Sequence, residues 1–409
     1  MPFMLRHLPL TRRAFLARTA AALSTAPLFL HARAFGANER IVMGCIGLGG
    51  QGSGDMGAFL SFKEVQVVAV CDVAAEHRKL AKDTVDRTYG NKDCMSCNYF
   101  QEVLARPEID AVLIATPDHW HALIGIEALK QGKDVYCEKP ESLTVRQGRA
   151  MTEAARRYGR VFSGGSQRVW EDYNWFHRMV RGGAIGDVRE VWVNVGGPSG
   201  PCYLPPVPTP AGVDWELWLG PAPWRPFHPI LIAGGFRPFR DYSGGGMTDW
   251  GCHTFGGALF ACNLHQTGPV EIIPPDGKEH PQLTYVFANG VRIYHGGGWG
   301  GFLSFRGTEG EIPARTQNAL ERPLPDIQIP NYKGHGGIFG DFLHCVRTRE
   351  RPFRDIELGH RTASLCHLGN IAYWLNRPIR WDPAKEQIIG DTQASRWLDR
   401  PMREPWTLA

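Results

Sequence analysis

Outside the first residues the sequence holds no run of Lys or Arg, no apolar stretch of the ~20 residues that a membrane-spanning helix needs, and no internal repeat or low-complexity block. Without a basic run there is no footprint for nucleic acid or an anionic lipid surface, and neither partner is expected. Metal-binding patterns are missing too. Cys94 and Cys97 form a lone C-x-x-C with no second pair at zinc-finger spacing, so no metal is expected. What the chain has in quantity is turn-forming residues, 48 Gly and 30 Pro, within an ordinary composition of 43% hydrophobic and 21% charged residues. Its 409 residues suit two domains, each able to bury its own core.

The N-terminus reads as a targeting segment. Thr11-Arg12-Arg13-Ala14-Phe15-Leu16 is a twin-arginine signature, followed by the short apolar run Thr19 to Leu30 and a small-x-small site at Ala32-Arg33-Ala34. Residues 1–34 are therefore expected to be a signal peptide cleaved after Ala34, with the mature chain periplasmic or otherwise exported and free of the membrane. Cleavage removes five arginines and no acid, leaving 40 of the 45 basic side chains against 41 acidic ones. The basic pI belongs to the targeting segment. Ten cysteines in an exported chain suggest disulfides, but the twin-arginine route carries proteins folded in a reducing compartment, so free thiols are the default expectation. For Cys94 and Cys97 a local disulfide and two plain thiols both stay open.

Ile41 to Ile46 reads as a short buried strand that runs into Gly47-Leu48-Gly49-Gly50-Gln51-Gly52, and Met56, Phe59 and Leu60 then recur at helical spacing. This places G-x-G-x-x-G where a strand hands over to a helix, so that backbone N–H groups and the helix dipole can meet a pyrophosphate. A second strand, Val65 to Cys71, ends in Asp72, twenty positions after Gly52, where a carboxylate can accept hydrogen bonds from adenosine ribose hydroxyls. Asp72 favours NAD, and Arg78 close by keeps NADP open. Strand and helix patterns then alternate: Ala111 to Ala115, Trp120 to Gln131, Asp134 to Cys137, and a closing strand Val161 to Gly165. A doubly wound parallel sheet over residues 38–164 follows. Two of its strands end in polar clusters, Thr116 to His121 and Glu138-Lys139-Pro140, at the edge where such sheets bind ligands.

Residues 165–409 carry different patterns. Val191, Val193 and Val195 alternate, and Leu283 to Ala288 and Val291 to His295 flank Asn289-Gly290, a strong hairpin turn. Pro198 to Pro210 and the Pro and Trp cluster from Trp215 to Pro229 read as long loops that could wall a pocket. Leu358 to Leu375 has an amphipathic helical pattern stopped by Asn376-Arg377-Pro378. Asp249 and His253 are spaced i, i+4, on one face if the segment after Gly244-Gly245-Gly246 is helical.

Gly47 to Gly52, Ala115-Thr116-Pro117 with His119 and His121, Glu138-Lys139-Pro140, Asp214 to Gly220, and Asp249-Trp250-Gly251-Cys252-His253 occur in this order. Together they resemble the glucose-fructose oxidoreductase and inositol dehydrogenase (Gfo/Idh/MocA) family. The resemblance implies an α/β fold: an N-terminal Rossmann domain and a C-terminal α+β domain with a large, mostly antiparallel sheet that carries the substrate site and often an oligomer interface. It implies a nicotinamide-dependent oxidoreductase acting on a sugar, alternatively a redox-neutral glycoside cleavage, less readily a non-catalytic sugar binder. Lys139 handles substrate and proton, with Glu138 and Pro140 holding its loop. His253 is the general acid/base, and Asp249 binds a substrate hydroxyl and fixes the imidazole. Leu48, Gly50, Gln51, Thr116, Pro117, His119, His121 and Trp215 fall to the cofactor, and Gln167 and Arg168 near the nicotinamide and substrate. Thr254 departs from many exported relatives, which carry a second histidine there. Burial beside the cofactor is expected to lower the Lys139 ammonium pKa, and the His253 imidazole is expected to titrate near 6.5.

Overall fold

The computed structural model describes residues 40–298, 301–313, 327 and 336–408. The signal-peptide reading of residues 1–34 lies outside them. Among the described residues no helix is long and apolar enough to cross a membrane.

The first sheet is built from β1 (Ile41–Ile46), β2 (Val65–Cys71), β3 (Met95–Cys97), β4 (Ala111–Ile114), β5 (Asp134–Cys137) and β6 (Phe162–Gly164). Their order is β3-β2-β1-β4-β5-β6, all parallel, the doubly wound arrangement that the sequence pattern predicts. The helices α1 (Gly50–Leu60), α2 (Ala75–Tyr89), α3 (Phe100–Leu104), α4 (Asp118–Lys130) and α5 (Val145–Arg157) connect them. Parallel strands need such crossovers, and because both faces are covered β4 and β5 are buried at every position. Helix α4 starts at Asp118, two residues before the predicted Trp120, so His119 and His121 lie in its first turn rather than in a loop.

The chain then passes through α6 (Gln167–Trp170) and α7 (Asn174–Arg181) into β7 (Val188–Val193), and a long excursion follows that contains α8 (Trp215–Leu219). It returns through α9 (Gly246–Asp249) and α10 (Gly251–Ala261) to β8 (Glu271–Ile273), β9 (Leu283–Val286), β10 (Arg292–His295), β11 (Leu303–Gly307) and β12 (Glu311–Ile312). After α11 (Gly337–Thr348) and α12 (Ile356–Leu375) come β13 (Ile379–Asp382) and β14 (Gln387–Ile388). The second sheet has the order β12-β11-β7-β10-β9-β8-β13-β14. Among the described residues of this sheet only β7 and β10 pair in parallel. The β9–β10 hairpin turns at Asn289-Gly290, where Gly290 has φ +86°. Val195 falls beyond the end of β7, so the alternation seen in the sequence outruns the strand.

The tail helix corrects its reading. α12 is buried on almost every face instead of being amphipathic, with Leu358, Ala363, Leu368 and Ile371 joined by His360, Thr362, His367 and Asn370 inside. It packs against α5, α10, β6 and β8, and only Glu357, Arg361 and its last three residues are partly exposed. Its buried polar groups are held by specific bonds, His367 Nε2 to the Ser142 carbonyl at 2.9 Å and Asn370 Nδ2 to the Gly244 carbonyl at 2.7 Å. All ten cysteines are free thiols, Cys94 and Cys97 included.

Candidate active site

A cavity of about 310 Å³ opens at the carboxyl edge of the parallel sheet, where β1, β2, β4 and β5 end. Its floor is the glycine turn. Gly47 has φ +83°, and a Cβ there would meet the Thr116 backbone nitrogen at 2.5 Å. A Cβ on Gly52 would strike the Gly47 carbonyl oxygen at 1.9 Å, so the helix can lie this close to the turn only without a side chain. Gly49 differs, for its nearest neighbour would be His77 Cε1 at 4.0 Å, and Gly50 faces open space. Two glycines therefore shape the turn and two leave the space above it clear. The first amides of α1 have no intrahelical acceptors and point into that space, a fit for a pyrophosphate.

Asp72 lines the cavity at the end of β2. Its carboxylate accepts from the Leu48 amide at 2.6 Å and the Ala74 amide at 2.8 Å, and lies 3.3 Å from His77 Nδ1. It thus braces the glycine turn against the next loop, with lone pairs still available for ribose hydroxyls. Arg78 does not face the cavity. Its guanidinium donates to the Asp72 carbonyl and, at 2.9 Å, to Asn98 Oδ1, which ties it to the β2–β3 edge.

Above the floor, β5 ends in Glu138-Lys139-Pro140, and Lys139 Nζ donates to Asp249 Oδ1 at 2.6 Å. Arg237 Nε approaches the same oxygen at 3.1 Å. Residues far apart in sequence thus meet across the junction between the parallel sheet and the helices of the second half. Burial alone would lower the Lys139 pKa, but the charges of Glu138 and Asp249 more than offset it and raise the pKa, contrary to the expectation from burial. Lys139 is an ammonium here. Glu138 itself is pushed well up by burial and by the charge of Asp55, while Gln167 Nε2 holds its Oε1 at 2.7 Å. Asp249 resists burial because Lys139 and Arg237 stabilise its charge, and its pKa is lowered.

His253 lies one helical turn beyond Asp249, past the junction of α9 and α10, and is buried. Burial, reinforced by the positive charges of Lys139, Arg168 and Arg354, holds its pKa well below 6.5, so the imidazole is neutral throughout the neutral range. Its Nδ1 has no hydrogen-bond partner among the described residues. Thr254 beside it is used structurally, its hydroxyl 3.0 Å from that of Tyr173.

Several expected contact residues stand behind the walls rather than on them. His121 has Nδ1 2.8 Å from the Pro140 carbonyl and Nε2 2.7 Å from the Thr116 carbonyl, and His119 Nε2 lies 2.9 Å from the Trp218 carbonyl. Burial pushes both imidazoles down to about 4. Trp215 is stacked on Trp218 with ring centroids 4.6 Å apart and donates Nε1 to the Arg225 carbonyl, so Trp218 and Leu217 face the cavity in its place. Arg168 pairs with Asp172 and lies 4.8 Å over the Trp250 ring, outside the cavity. Thr116 and Pro117 do line it.

Three contributors escaped the sequence reading. Asp118 lines the cavity beside Pro117, although as a member of the polar cluster after β4 it was there to be noticed. Arg237 and the Leu231–Gly235 turn roof it. No periodicity or motif marks that loop. A β-bridge between Ala74 and Val213, with Asn98 Nδ2 bonded to Asp214 Oδ2 at 2.8 Å, fastens the start of α8 to the cofactor edge.

Residues 41–166 match the family described as "Oxidoreductase family, NAD-binding Rossmann fold", and residues 191–408 match "Oxidoreductase family, C-terminal alpha/beta domain". A Glycosyl hydrolase family 109 protein of Saccharopolyspora erythraea is 33% identical over 115 residues, 27% of this chain and 25% of the relative. The chain thus spans about a quarter of the length of that relative. An NAD-binding protein from Listeria innocua shares the fold with a TM-score of 0.57 at 23% identity, over 83% of this chain and 97% of the other. The aldose-aldose oxidoreductase from Caulobacter crescentus does so with a TM-score of 0.54 at 19% identity, over 83% and 99%. With both halves matched in order, the chain belongs to the Gfo/Idh/MocA oxidoreductase family and contains its NAD-binding Rossmann fold.

Proposed function

We propose that the protein is an NAD(P)-dependent oxidoreductase that acts on a carbinol carbon of a sugar or sugar derivative, with Lys139, Asp249 and His253 as its reacting side chains. The observation that carries this reading is the 2.6 Å contact with Asp249 made by Lys139, which lines the glycine-floored cavity. A nicotinamide dinucleotide, when bound, supplies the hydride acceptor or donor. Gly49, Gly50 and Gln51 hold its pyrophosphate and Asp72 its adenosine ribose. Lys139, kept charged by Glu138 and Asp249, donates a hydrogen bond to the carbinol oxygen and stabilises negative charge that develops there. The neutral His253 is the group that can accept the hydroxyl proton.

Export by the twin-arginine route belongs to this proposal, as does a tightly held cofactor, since an enzyme outside the cytoplasm meets little free dinucleotide. The loop that brings Leu231, Ile232, Phe236 and Arg237 to the same cavity as the glycine floor supports retention, because it adds contacts for a bound dinucleotide. A homo-oligomer through the second sheet is proposed as well. Glu190, Trp192, Tyr294 and Arg306 alternate with the core residues Val191, Val193, Ile293 and Phe305 along the same strands and so occupy the opposite face. Light scattering on the purified protein tests it.

Redox-neutral glycoside cleavage is the second reading, favoured by the relative named as a glycosyl hydrolase. The two separate on products. Purified protein with its bound dinucleotide is incubated with a panel of free sugars and their aryl glycosides, and cofactor absorbance is followed together with released phenol. A keto-sugar matched by reduced cofactor supports the first reading, phenol release at constant absorbance supports the second, and no turnover of any member refutes both.

A further inference from the structure

Asp118 is used by neither the cofactor cradle nor the Lys139 contact, yet it lines the same cavity. It opens helix α4 and is only 4% exposed, and its Oδ2 has no hydrogen-bond partner among the described residues; the nearby Thr116 hydroxyl also has none. A buried carboxylate with an unpaired oxygen is costly, and two things relieve that cost, a ligand or a proton. The charged groups that act on it are Arg237, Lys139 and Asp249, with the Ser243 hydroxyl beside it. Burial dominates and pushes its pKa up to about 7, although Ser243 and Arg237 draw it back.

We propose that Asp118 is a sugar-binding residue whose carboxyl, buried in the cavity wall with Oδ2 unpartnered, hydrogen-bonds an oxygen of the bound sugar, beside the oxygen held by Lys139. The inference rests on the sugar-acting reading of the site. A neutral carboxylic acid offers one donor, which an ionised carboxylate does not. With Asp118 neutral, the cations Lys139 and Arg237 face one negative charge fewer, and this relative excess of positive charge favours an oxyanion forming on the sugar. Ionisation of Asp118 removes both the donor and the excess charge. Turnover therefore falls as pH rises through the neutral range.

The test compares wild type, Asp118→Asn and Asp118→Ala, all carrying their bound dinucleotide, on the sugar turned over fastest in the panel above. Asp118→Ala is expected to lose at least about tenfold in kcat/KM at about pH 6, the loss typical of removing a polar contact, and to lose less as the pH rises and the wild-type carboxyl ionises. Asp118→Asn, which keeps a donor and cannot ionise, is expected to recover part of that loss and to lack the decline above about pH 7. Infrared difference spectra of wild type minus Asp118→Asn should show a protonated carboxyl band at about pH 6 that disappears on raising the pH. An ionised Asp118 at that pH, an asparagine variant that follows the wild-type pH profile, or an alanine variant with wild-type kcat/KM overturns the inference. A wild type that turns over no sugar refutes the functional reading instead.

Discussion

Gly49 and Gly52 belong to the same six-residue turn, yet alanine at the two positions should fail in different ways. At Gly52 the new methyl would sit 1.9 Å from the Gly47 carbonyl oxygen and 3.0 Å from the Ala115 Cβ. The nearest of these is backbone, so neither neighbour can rotate away, and α1 must move off the sheet edge. Forced overpacking of this kind costs about 1–3 kcal/mol. At about 2–4 °C per kcal/mol, the expectation is a fall in Tm on the order of 2–12 °C. At Gly49 the backbone is φ −66°, ψ −162°, a conformation any residue adopts, and the methyl meets nothing nearer than 4.0 Å. Stability should stay within about 0.5 kcal/mol of wild type. The methyl occupies the space in front of the first α1 amides, however, and dinucleotide binding should fall by at least tenfold. Differential scanning calorimetry gives the first quantity, and dinucleotide content after purification with calorimetric titration of NAD gives the second. A Gly49→Ala protein that binds NAD like wild type, or melts as low as Gly52→Ala, refutes the division of roles.

Lys139→Ala should purify with its bound dinucleotide and show no turnover, since Asp249 keeps Arg237 as a partner; retained activity removes Lys139 from the chemistry. The acid side of the pH–rate profile should lie below about 6.5 and vanish in His253→Ala, because the buried imidazole is held neutral there; a limb centred at or above neutrality contradicts this. His119, His121 and His367 are each pushed down to about 4, so between about pH 6.5 and 4 the unfolded chain binds their protons and the folded one does not. Stability is present above 6.5 and falls on acidification by about 1.4 kcal/mol per pH unit for each of them, measurable by urea denaturation at stepped pH. With ten free thiols the Tm should be the same with and without reductant, and a drop on reduction would reveal a disulfide.

Local chemistry made the first half of the chain legible. A β-branched run ending in Asp72, glycines at a strand-to-helix turn and alternating strand and helix patterns are short-range signals, and every strand of the parallel sheet except the three-residue edge strand β3 had one. The second half was read less fully because its strands are short and their partners distant: β7 pairs with β10 and β11 across about a hundred residues. The hairpin at Asn289-Gly290 was visible because its turn is local. The burial of α12 was not, because whether a helix has a wet side depends on what packs against the polar stripe, and here α5 and α10 do.

The sequence by itself determined the glycine turn, the position of Asp72 and the identities of Lys139, Asp249 and His253, since these depend on residue type and spacing along one segment. Only the tertiary structure decided their states. It set Lys139 against Asp249 and so raised a pKa that burial alone would have lowered. It left His253 neutral, turned Trp215, Gln167 and Arg168 away from the cavity, and brought in Arg237 and Asp118. Charge and solvation are sums over neighbours, and those neighbours come from segments that only folding brings together.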